Sequence, residues 1–255
     1  MSVYVITGGT TGIGSETKTK LLAQGHEVFN IDYNGGDFTA DLGSEQGRES
    51  AIQAVYEKYP DGIDALICCA GVGTGAPAQK IFAINFYGAR AMAKGLRDLL
   101  KKKAGNCVLI ASNTIEWKIA RQDWVALLLS DSEEEVCLEY VKDVPSQMGQ
   151  VAYTASKLAL VKWARRSCAD WAADGLRLNI VAPGNTSTPL IGNLTPEQKQ
   201  MALMIPIPTR YNEQKFLNPK QIADCIIFLA SEQANAVNGA VLYVDGGTDA
   251  LLRSE

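Results

Sequence analysis

TGGTTGIG, residues 7–14, is the stretch that decides the fold of this chain, because it joins a strand to a helix through a glycine-rich turn. The apolar run VYVIT (3–7) precedes it and predicts a strand, whereas SETKTKLLAQG (15–25) has the pattern of a helix. Glycines suit such a turn because they allow sharp bends and close backbone approaches. Strand, glycine turn and helix in this order predict a corner where a phosphate group can bind the helix N-terminus.

The rest of the chain repeats the alternation of strand and helix. Its predicted strands are nearly continuous apolar runs, which suits burial on both faces of a parallel sheet. We therefore expect an α/β fold, a single doubly wound Rossmann-type domain over residues 1–255 with a parallel seven-stranded sheet. The later strands that can be located lie at 27–32, 64–70, 106–112, 176–183 and 240–245, and long helices are expected at 83–103 and 151–173.

Composition argues against several classes of function. A net charge of −4 and a pI near 5.2 argue against nucleic acid or an anionic membrane surface as a partner. The six cysteines show no Cys-x-x-Cys spacing and the chain has one histidine, so we expect no metal site and reduced, mostly buried thiols. We expect no signal peptide before the first strand, and the apolar runs are too short to span a bilayer. These features predict a cytoplasmic protein.

The acid that ends the second strand predicts which nucleotide the glycine turn receives. Asp32 lies 18 residues after Gly14, where a carboxylate can accept hydrogen bonds from the adenosine ribose of NAD. It would repel the phosphate of NADP, and no Arg or Lys follows in DYNGGD (32–37) to neutralise one. Asp41 and the Leu42 amide could then contact the adenine. The alternative is that Asp32 only caps the turn that follows it.

AYTASKLAL (152–160) places Tyr153 and Lys157 on one face of a predicted helix, since positions i and i+4 are neighbours there. A free tyrosine has a pKa near 10, and a neighbouring ammonium group stabilises the phenolate and lowers that pKa. Tyr153 would then serve as general acid or base for a hydride transfer, and Lys157 would also bind ribose hydroxyls. The alternative is a surface lysine and a half-buried tyrosine on an amphipathic helix.

These features occur together, in one order, over essentially the whole chain. After the glycine turn and Asp32 come Ala70-Gly71, the Tyr-x-x-x-Lys pair, Pro183-Gly184 and VDGG (244–247). In this set the sequence resembles the short-chain dehydrogenase/reductase family. Within the family it is most similar to the 3α-hydroxysteroid dehydrogenase/carbonyl reductase subgroup, which the segments PGNTSTPL (183–190) and VDGGTDA (244–250) also favour.

The resemblance implies a role for each matching residue. Ser112 would hydrogen-bond the substrate oxygen, Tyr153 would exchange a proton with it, and Asn85 would organise a water that links Lys157 to a proton relay. On its own, a serine at a strand end or an asparagine in a helix is a weak signal. The full set expected to contact NAD is Gly8, Thr10, Thr11, Gly12, Ile13, Gly14, Asp32, Tyr33, Asp41, Leu42, Cys69, Ala70, Gly71, Tyr153, Lys157, Pro183, Gly184, Thr186 and Thr188.

Two features depart from the family pattern. Where the family commonly has Asn-Asn-Ala-Gly, this chain has Cys68-Cys69-Ala70-Gly71, and cysteine cannot supply the amide hydrogen bonds. Cys69 is interpreted as a small core residue rather than a nucleophile. Ser112 and Tyr153 are 41 positions apart, much further than is common in the family, which indicates an insertion at about 114–149.

The insertion has the pattern of two helices. WVALLL (124–129) and VCLEYV (136–141) give apolar stripes, and a serine or aspartate at 130–132 could cap the second helix before its acidic first turn. The pair could form a small satellite core, or it could shape the pocket or a subunit interface. We hypothesise that it blocks a four-subunit assembly, so that the expected homo-oligomer is a dimer, with a tetramer possible.

A second irregular segment, about 185–218, follows the sixth strand and is expected to cover the substrate. It contains EQKQMALMIPIPTRY (197–211), whose Met201, Leu203, Met204, Ile205 and Ile207 would form an adaptable apolar surface. Such a surface suits a bulky hydrophobic substrate. The alternative is a helix that simply packs on the domain.

The resulting prediction is an NAD-dependent dehydrogenase or reductase that interconverts a secondary alcohol and a ketone on a hydrophobic substrate. The resemblance favours a 3α-hydroxysteroid or bile acid. A smaller aryl or alkyl alcohol or carbonyl compound is the first alternative. A non-catalytic NAD(H)-binding sensor is an alternative of another class, against which the set Ser112, Tyr153 and Lys157 argues, because a sensor needs no proton donor.

Overall fold

Seven strands form one parallel sheet in the computed structural model, which describes residues 1–192, 194, 196–209 and 216–254. Their order in the sheet is β3-β2-β1-β4-β5-β6-β7, and each neighbouring pair is parallel. The strands are β1 Val3–Thr7, β2 Glu27–Asp32, β3 Phe38–Thr39, β4 Ala65–Cys68, β5 Asn106–Ile110, β6 Arg177–Pro183 and β7 Val241–Val244.

The predicted sheet is confirmed, with small differences in the strand limits. β1 and β2 have the predicted bounds, and the four later predicted strands are present but shorter by one to three residues. Only β3 was not located from the sequence, because an edge strand of two residues is too short to show a periodic pattern. The strand order reverses between β1 and β4, so the crevice that binds ligands in such sheets lies beyond their carboxyl ends.

Helices cover both faces of the sheet. They are α1 Gly12–Ala23, α2 Glu45–Lys58, α3 Ala78–Phe82, α4 Ala89–Gly95, α5 Arg97–Lys101, α6 Gln122–Leu129, α7 Glu134–Tyr140, α8 Gly149–Ala173, α9 Pro189–Gly192, α10 Pro196–Met204, α11 Pro219–Ala230 and α12 Thr248–Leu252. None of these described helices is long and apolar enough to cross a membrane.

The prediction of one uninterrupted helix over 83–103 is wrong. Helical backbone already begins at α3, residues Ala83–Gly88 form a π-helical turn, and α4 and α5 are separated at Leu96. A π turn arises where something holds the backbone away from regular α-helical spacing, and such turns are frequent at functional sites. Here the turn contains Asn85, whose side chain is bound to a neighbouring loop.

The sheet separates two hydrophobic clusters, and successive residues of β1 alternate between them. Val5 belongs to the larger cluster, with residues of α2, α3, α4 and α8, whereas Tyr4 and Ile6 belong to the smaller one beneath α1 and α11. This alternation follows from the two-residue repeat of a strand that is buried on both faces. The core therefore holds the carboxyl ends of the central strands in fixed positions.

The insertion forms the predicted pair of helices, α6 and α7, and both contribute to the larger cluster. Trp124 of α6 is 1% exposed, and its ring meets that of Phe82 edge to face with centroids 5.8 Å apart. Cys137 of α7 is fully buried. The insertion is thus continuous with the domain core rather than a satellite of it.

The expected cap of α7 is wrong in detail. Glu133 occupies the N-cap position and its side chain makes no capping hydrogen bond, while the preceding serine, Ser132, uses its own N–H to reach Ser130 Oγ. The predicted acidic first turn is present, with Glu134 and Glu135. Charge at the helix N-terminus, rather than a side-chain cap, is the local feature that suits this helix.

Trp124→Ala should lower the free energy of unfolding by about 3–5 kcal/mol, because it removes a buried aromatic ring and leaves a cavity in the shared core. Urea denaturation followed by far-UV circular dichroism measures the change. The matched control is Tyr140→Ala in the same insertion, which is 62% exposed and should change the value by less than about 0.5 kcal/mol. Equal effects of the two substitutions would contradict a continuous core.

Candidate active site

The turns that follow β1 and β4 meet at the carboxyl edge of the sheet. Gly8 has a φ of +73°, and a β-carbon there would lie 2.6 Å from the backbone nitrogen of Ala70. The Ala70 N–H is donated to Thr7 Oγ1 at 3.2 Å, and the Cys69 N–H to Thr7 O at 3.0 Å. Only glycine at position 8 permits this approach, so the glycine turn and the 69–71 segment form one continuous floor.

The N-terminus of α1 is open toward this edge. Gly14 packs so closely on the turn that a β-carbon there would collide with Gly8 O. The Thr11 side chain makes no capping hydrogen bond, and no described residue accepts a hydrogen bond from the N–H groups of residues 12–14. Thr188 lies against Gly12, its methyl carbon 3.2 Å from the position of a β-carbon. The arrangement leaves a set of free donors at a helix N-terminus, which suits an anion.

Asn30 shapes the glycine turn, although the sequence analysis did not identify it. Its Oδ1 accepts the Gly9 N–H at 2.8 Å, and its Nδ2 donates to Thr10 Oγ1 at 3.3 Å. Its own N–H is donated to Asp37 Oδ2 at 2.8 Å. The signal in the sequence was a polar residue within the apolar strand EVFNID. Asn30 is 1% exposed in the structure, and a polar side chain that is so deeply buried needs hydrogen-bond partners.

Asp32 lies at the end of β2 with its carboxylate at the rim of the glycine turn. Oδ2 accepts the Thr10 N–H at 3.0 Å, and Oδ1 accepts the Asn34 N–H at 3.3 Å. The turn-capping contact that the alternative interpretation of Asp32 requires is therefore present. The carboxylate is only partly buried, so it also has lone pairs that face solvent. Tyr33 is 61% exposed, with Lys80 Nζ 5.8 Å from its ring centre.

Asp41 and Leu42 lie in the loop between β3 and α2. Asp41 is exposed and its Oδ1 accepts the Gly43 N–H at 2.9 Å. Leu42 is buried, its carbonyl oxygen faces Gly88, and no described residue accepts its N–H. A donor without a partner on a buried residue is uncommon in proteins. This N–H is thus available to a ligand at the rim of β2.

Ser112, Tyr153 and Lys157 come together beyond the end of β5. Ser112 is 8% exposed, its Oγ accepts hydrogen bonds from the N–H and the hydroxyl of Thr114, and it lies near enough to the Tyr153 phenol to affect the pKa of that phenol. Lys157 is 5% exposed, and its Nζ donates to Ile110 O at 2.7 Å and lies 5.9 Å from the Tyr153 ring centre. The predicted helical pair therefore faces the serine across the strand end.

The electrostatics of this cluster differ from the expected ones. Burial raises the pKa of the Tyr153 phenol above its usual value, and the neighbouring Ser112 hydroxyl offsets part of that rise. Burial also lowers the pKa of the Lys157 ammonium group to about 8. The expectation that Lys157 lowers the pKa of Tyr153 is not met in the chain alone, because burial of the phenol raises that pKa and the group that lowers it is Ser112.

Asn85 holds the segment after β4 in place. It is fully buried, its Oδ1 accepts the Val72 N–H at 2.8 Å, and its Nδ2 donates to Val72 O at 3.0 Å. A β-carbon on Gly71 would lie 3.1 Å from Asn85 Oδ1 and 3.7 Å from Lys157 Nζ. Gly71 thus separates the asparagine from the lysine, and the helix side chain positions the 71–72 segment.

The segment after β6 completes the edge. The Gly184 N–H is donated to Val244 O at 3.1 Å, and the Thr186 hydroxyl to Gly184 O at 2.9 Å. Pro183 is buried. Asp245, which the sequence analysis quoted without assigning a role, is 4% exposed, and both its carboxylate oxygens accept hydrogen bonds. The donors are Asn113 Nδ2 at 3.3 Å, Gly247 N at 3.0 Å and Asp249 N at 2.7 Å.

The expected substrate cover, 185–218, is described except at 193, 195 and 210–215. Ala202 O of its helix α10 accepts a hydrogen bond from Asn185 Nδ2 at 2.8 Å, and Pro206 O, beyond the end of that helix, accepts one from Thr248 Oγ1 of α12 at 2.7 Å. Leu203 and Met204 are 37% and 76% exposed. The side chain of Met201 and residues 210–211 of the predicted apolar run lie outside the described part.

Comparison with known proteins supports one family over the length of the chain. A family model described as enoyl-(acyl carrier protein) reductase matches residues 124–249. A 3α-hydroxysteroid dehydrogenase/carbonyl reductase of Comamonas testosteroni is 35% identical over 99% of this chain and 98% of its own. A short-chain dehydrogenase/reductase of Penicillium canescens is 26% identical, covering 95% of each chain.

A solved structure gives the same result for the fold. The 3α-hydroxysteroid dehydrogenase from Pseudomonas sp. B-0831, complexed with NADH, superimposes with a TM-score of 0.90 and 35% identity, covering 100% of this chain and 99% of that one. The identity to the Comamonas testosteroni enzyme spans nearly all of both chains. In this fold the glycine turn, Ser112 and the Tyr153–Lys157 pair lie together at the carboxyl edge of the sheet. The chain belongs to the short-chain dehydrogenase/reductase family of oxidoreductases.

Proposed function

We propose that this protein is an NAD(H)-dependent oxidoreductase that interconverts a secondary alcohol and a ketone on an apolar substrate of the 3α-hydroxysteroid or bile-acid class. The observation that carries the proposal is the position of Tyr153 beside Ser112, with the buried Lys157 Nζ 5.9 Å from the centre of the Tyr153 ring. This cluster adjoins the glycine turn through Gly71 and Ala70.

The nucleotide-side residues fit a dinucleotide. Free N–H donors at the start of α1 suit a pyrophosphate. The solvent-facing lone pairs of Asp32 suit ribose hydroxyls, and the unpartnered Leu42 N–H suits a ring nitrogen of the adenine. We assign the nicotinamide end to Lys157, Gly184, Thr186 and Thr188.

The chain's own residues supply the proton chemistry. NAD(H), when bound, supplies or accepts the hydride. The Tyr153 hydroxyl donates a proton to the carbonyl oxygen during reduction and becomes a phenolate, and in the oxidation direction the phenolate takes a proton from the alcohol. The Ser112 hydroxyl donates a hydrogen bond to the same oxygen and fixes its distance from the phenol. Neither role requires histidine or a metal ion.

Lys157 is suited to assist Tyr153 because it places a positive charge near the phenol at neutral pH. Its ammonium group is held by Ile110 O and has a pKa of about 8, so it is charged at neutral pH although almost fully buried. A positive charge near the phenol favours the phenolate that forms during alcohol oxidation. Asn85 acts through the 71–72 segment that it binds, and the water expected at Asn85 stays a prediction.

The apolar substrate class rests on the cover segment and on the relatives. Leu190 of α9 contacts the loop after β4, 3.1 Å from a β-carbon on Gly73, and Leu203 and Met204 remain exposed on α10. The relatives with 35% identity are named as 3α-hydroxysteroid dehydrogenases. A smaller alcohol or carbonyl substrate is the alternative within the same chemistry. The homo-oligomer and the cytoplasmic location stay predictions.

Purified protein should reduce NAD⁺ with 3α-hydroxysteroids and oxidise NADH with their 3-ketones, as measured by nicotinamide absorbance. The values of kcat/KM should be higher than with small aryl or alkyl alcohols.

Tyr153→Phe should lower kcat by about 10²–10⁴-fold, because the proton donor is lost, and leave the NADH dissociation constant unchanged. Tyr56→Phe on α2 is the control and should behave as wild type. Turnover of small alcohols alone would favour the alternative substrate class, and NADH binding without any turnover would favour a sensor.

Asp32→Ser should lower the preference for NAD over NADP, measured as the ratio of the two kcat/KM values, by about tenfold or more. The reason is that placing a phosphate beside a carboxylate costs several kcal/mol, and the serine removes that repulsion. Because the variant also loses the contact to Thr10 N, the ratio is informative and the absolute rates are not. Asp61→Ser, in an exposed turn, serves as the control. A ratio that stays at the wild-type value would show that Asp32 does not contact the ribose.

The buried Lys157 should give the folded state a distinctive dependence on pH. Below pH 8 the lysine is charged in both the folded and unfolded chain, so the full cost of burying the charge applies. As pH rises from about 8 toward the usual pKa of 10.5, the folded chain loses this proton first and the cost disappears. The unfolding free energy of wild type relative to Lys157→Met should therefore rise by about 2–3 kcal/mol between pH 7 and pH 10.

Guanidinium denaturation at a series of pH values measures this difference, and titrations shared by both proteins cancel from it. Lys162→Met provides the matched control, because Lys162 lies on the same helix and is only partly buried. The wild-type value relative to this control should stay level over the same pH range. A level difference for Lys157→Met as well would mean that Lys157 keeps its ordinary pKa.

A further inference from the structure

The insertion is joined to the nucleotide side of the domain by one nearly buried ion pair. Arg48 of α2 is 6% exposed, and Glu134 is the first residue of α7. Arg48 Nη1 donates to Glu134 Oε1 at 3.0 Å, and Nη2 donates to Oε2 at 2.6 Å. Two parallel bonds between a guanidinium and a carboxylate fix orientation as well as distance. The pair therefore sets where the Arg48 side chain can reach.

Arg48 also reaches the loop that we assign to the adenine. Its Nη1 lies 3.4 Å from Leu42 O, a long hydrogen bond to a buried acceptor. On the other side of that oxygen lies Gly88 of the π turn, where a β-carbon would be 2.9 Å away. The Leu42 carbonyl is thus confined between a glycine of the core and the guanidinium that the insertion holds.

The two peptide groups that flank Leu42 are each held by hydrogen bonds. Asp41 O accepts the Ser44 N–H at 3.1 Å and the Ser44 hydroxyl at 3.0 Å, which fixes the peptide that carries the Leu42 N–H. The next peptide is fixed by Arg48 at Leu42 O and by Asp41 Oδ1 at the Gly43 N–H. Because a trans peptide is planar, its N–H points opposite to its C=O. The direction of the unpartnered Leu42 N–H follows from the Ser44 contacts at Asp41 O, and Arg48 holds Leu42 from its other side by fixing the peptide that follows it.

We infer that Arg48 and Glu134 are positioning residues for nucleotide binding, and that through them the inserted helix α7 forms part of the adenine side of the site. The inference rests on the proposed function, which places an adenine at Leu42. Neither side chain touches the ligand. Glu134 orients Arg48, Arg48 holds the Leu42 carbonyl, and the loop presents its N–H. The insertion is therefore assigned an effect on nucleotide affinity rather than on the proton transfer at Tyr153.

Glu134→Gln tests this assignment, because it keeps the size of the side chain and removes its charge. Dissociation constants for NADH and for AMP, measured by calorimetry, should both rise by about threefold to tenfold, whereas kcat at saturating NADH should not change. A loss of the same size for AMP and NADH locates the effect on the adenine half. A general weakening of the fold would instead lower kcat and raise KM for both substrates.

The control is Asp174→Asn, which disrupts another partly buried ion pair, with Arg97 and Lys101, between α5 and the end of α8. It should leave both dissociation constants at the wild-type values. Should Glu134→Gln unfold at the assay temperature, Arg48→Lys takes its place, since lysine keeps the charge but cannot form the two-bond fork. It should raise the same two constants, by about twofold or more.

The outcomes separate this inference from the proposed function. Suppose that wild type binds NADH and that Glu134→Gln, or Arg48→Lys in its place, binds NADH and AMP as tightly as wild type does. The inference is then overturned and the proposed function stands. A loss of NADH affinity with unchanged AMP affinity also overturns it. If wild type itself binds no NADH, the proposed function fails, whatever the variants show.

Discussion

The site depends on one constraint, the burial of a positive charge at the end of a central strand. Lys157 Nζ has Ile110 O as its described hydrogen-bond acceptor and is almost fully removed from water. A buried ammonium group is costly, and a fold that keeps it must hold its acceptor and its surroundings rigidly. The strands on either side, the π turn with Asn85 and the long helix α8 supply that rigidity. Ser112 and Tyr153 lie beside this point, at the end of the same strand.

Much of the fold could be predicted, because the signals involved are local. The apolar runs of the six located strands and the glycine turn have a meaning that depends only on neighbours in sequence. The Tyr153–Lys157 pair was also predictable, since four residues separate its members and a helix brings them together. The position of Asp32 at the rim of the glycine turn was also predictable, because it ends a strand next to β1.

Other parts of the site depend on contacts between distant segments, and the sequence carries no local signal for them. Asn30 and Gly9 meet only because β2 lies beside β1, and Arg48 and Glu134 are 86 positions apart. The electrostatic prediction failed for a related reason. Spacing along a helix indicates which side chains are neighbours, but the burial that raises the pKa of Tyr153 is a property of the whole packed domain.

The π turn at Ala83–Gly88 has a consequence for the helices around it. A π turn accommodates one residue more than an α-helical turn, so the apolar stripe after it is rotated by about 100° against the stripe before it. The segment before the turn can therefore face Trp124 of the insertion while the segment after it faces the sheet. The extra residue of the π turn thus allows α3 and α4 to pack against different neighbours, and Asn85 lies in the turn where the apolar stripe changes direction.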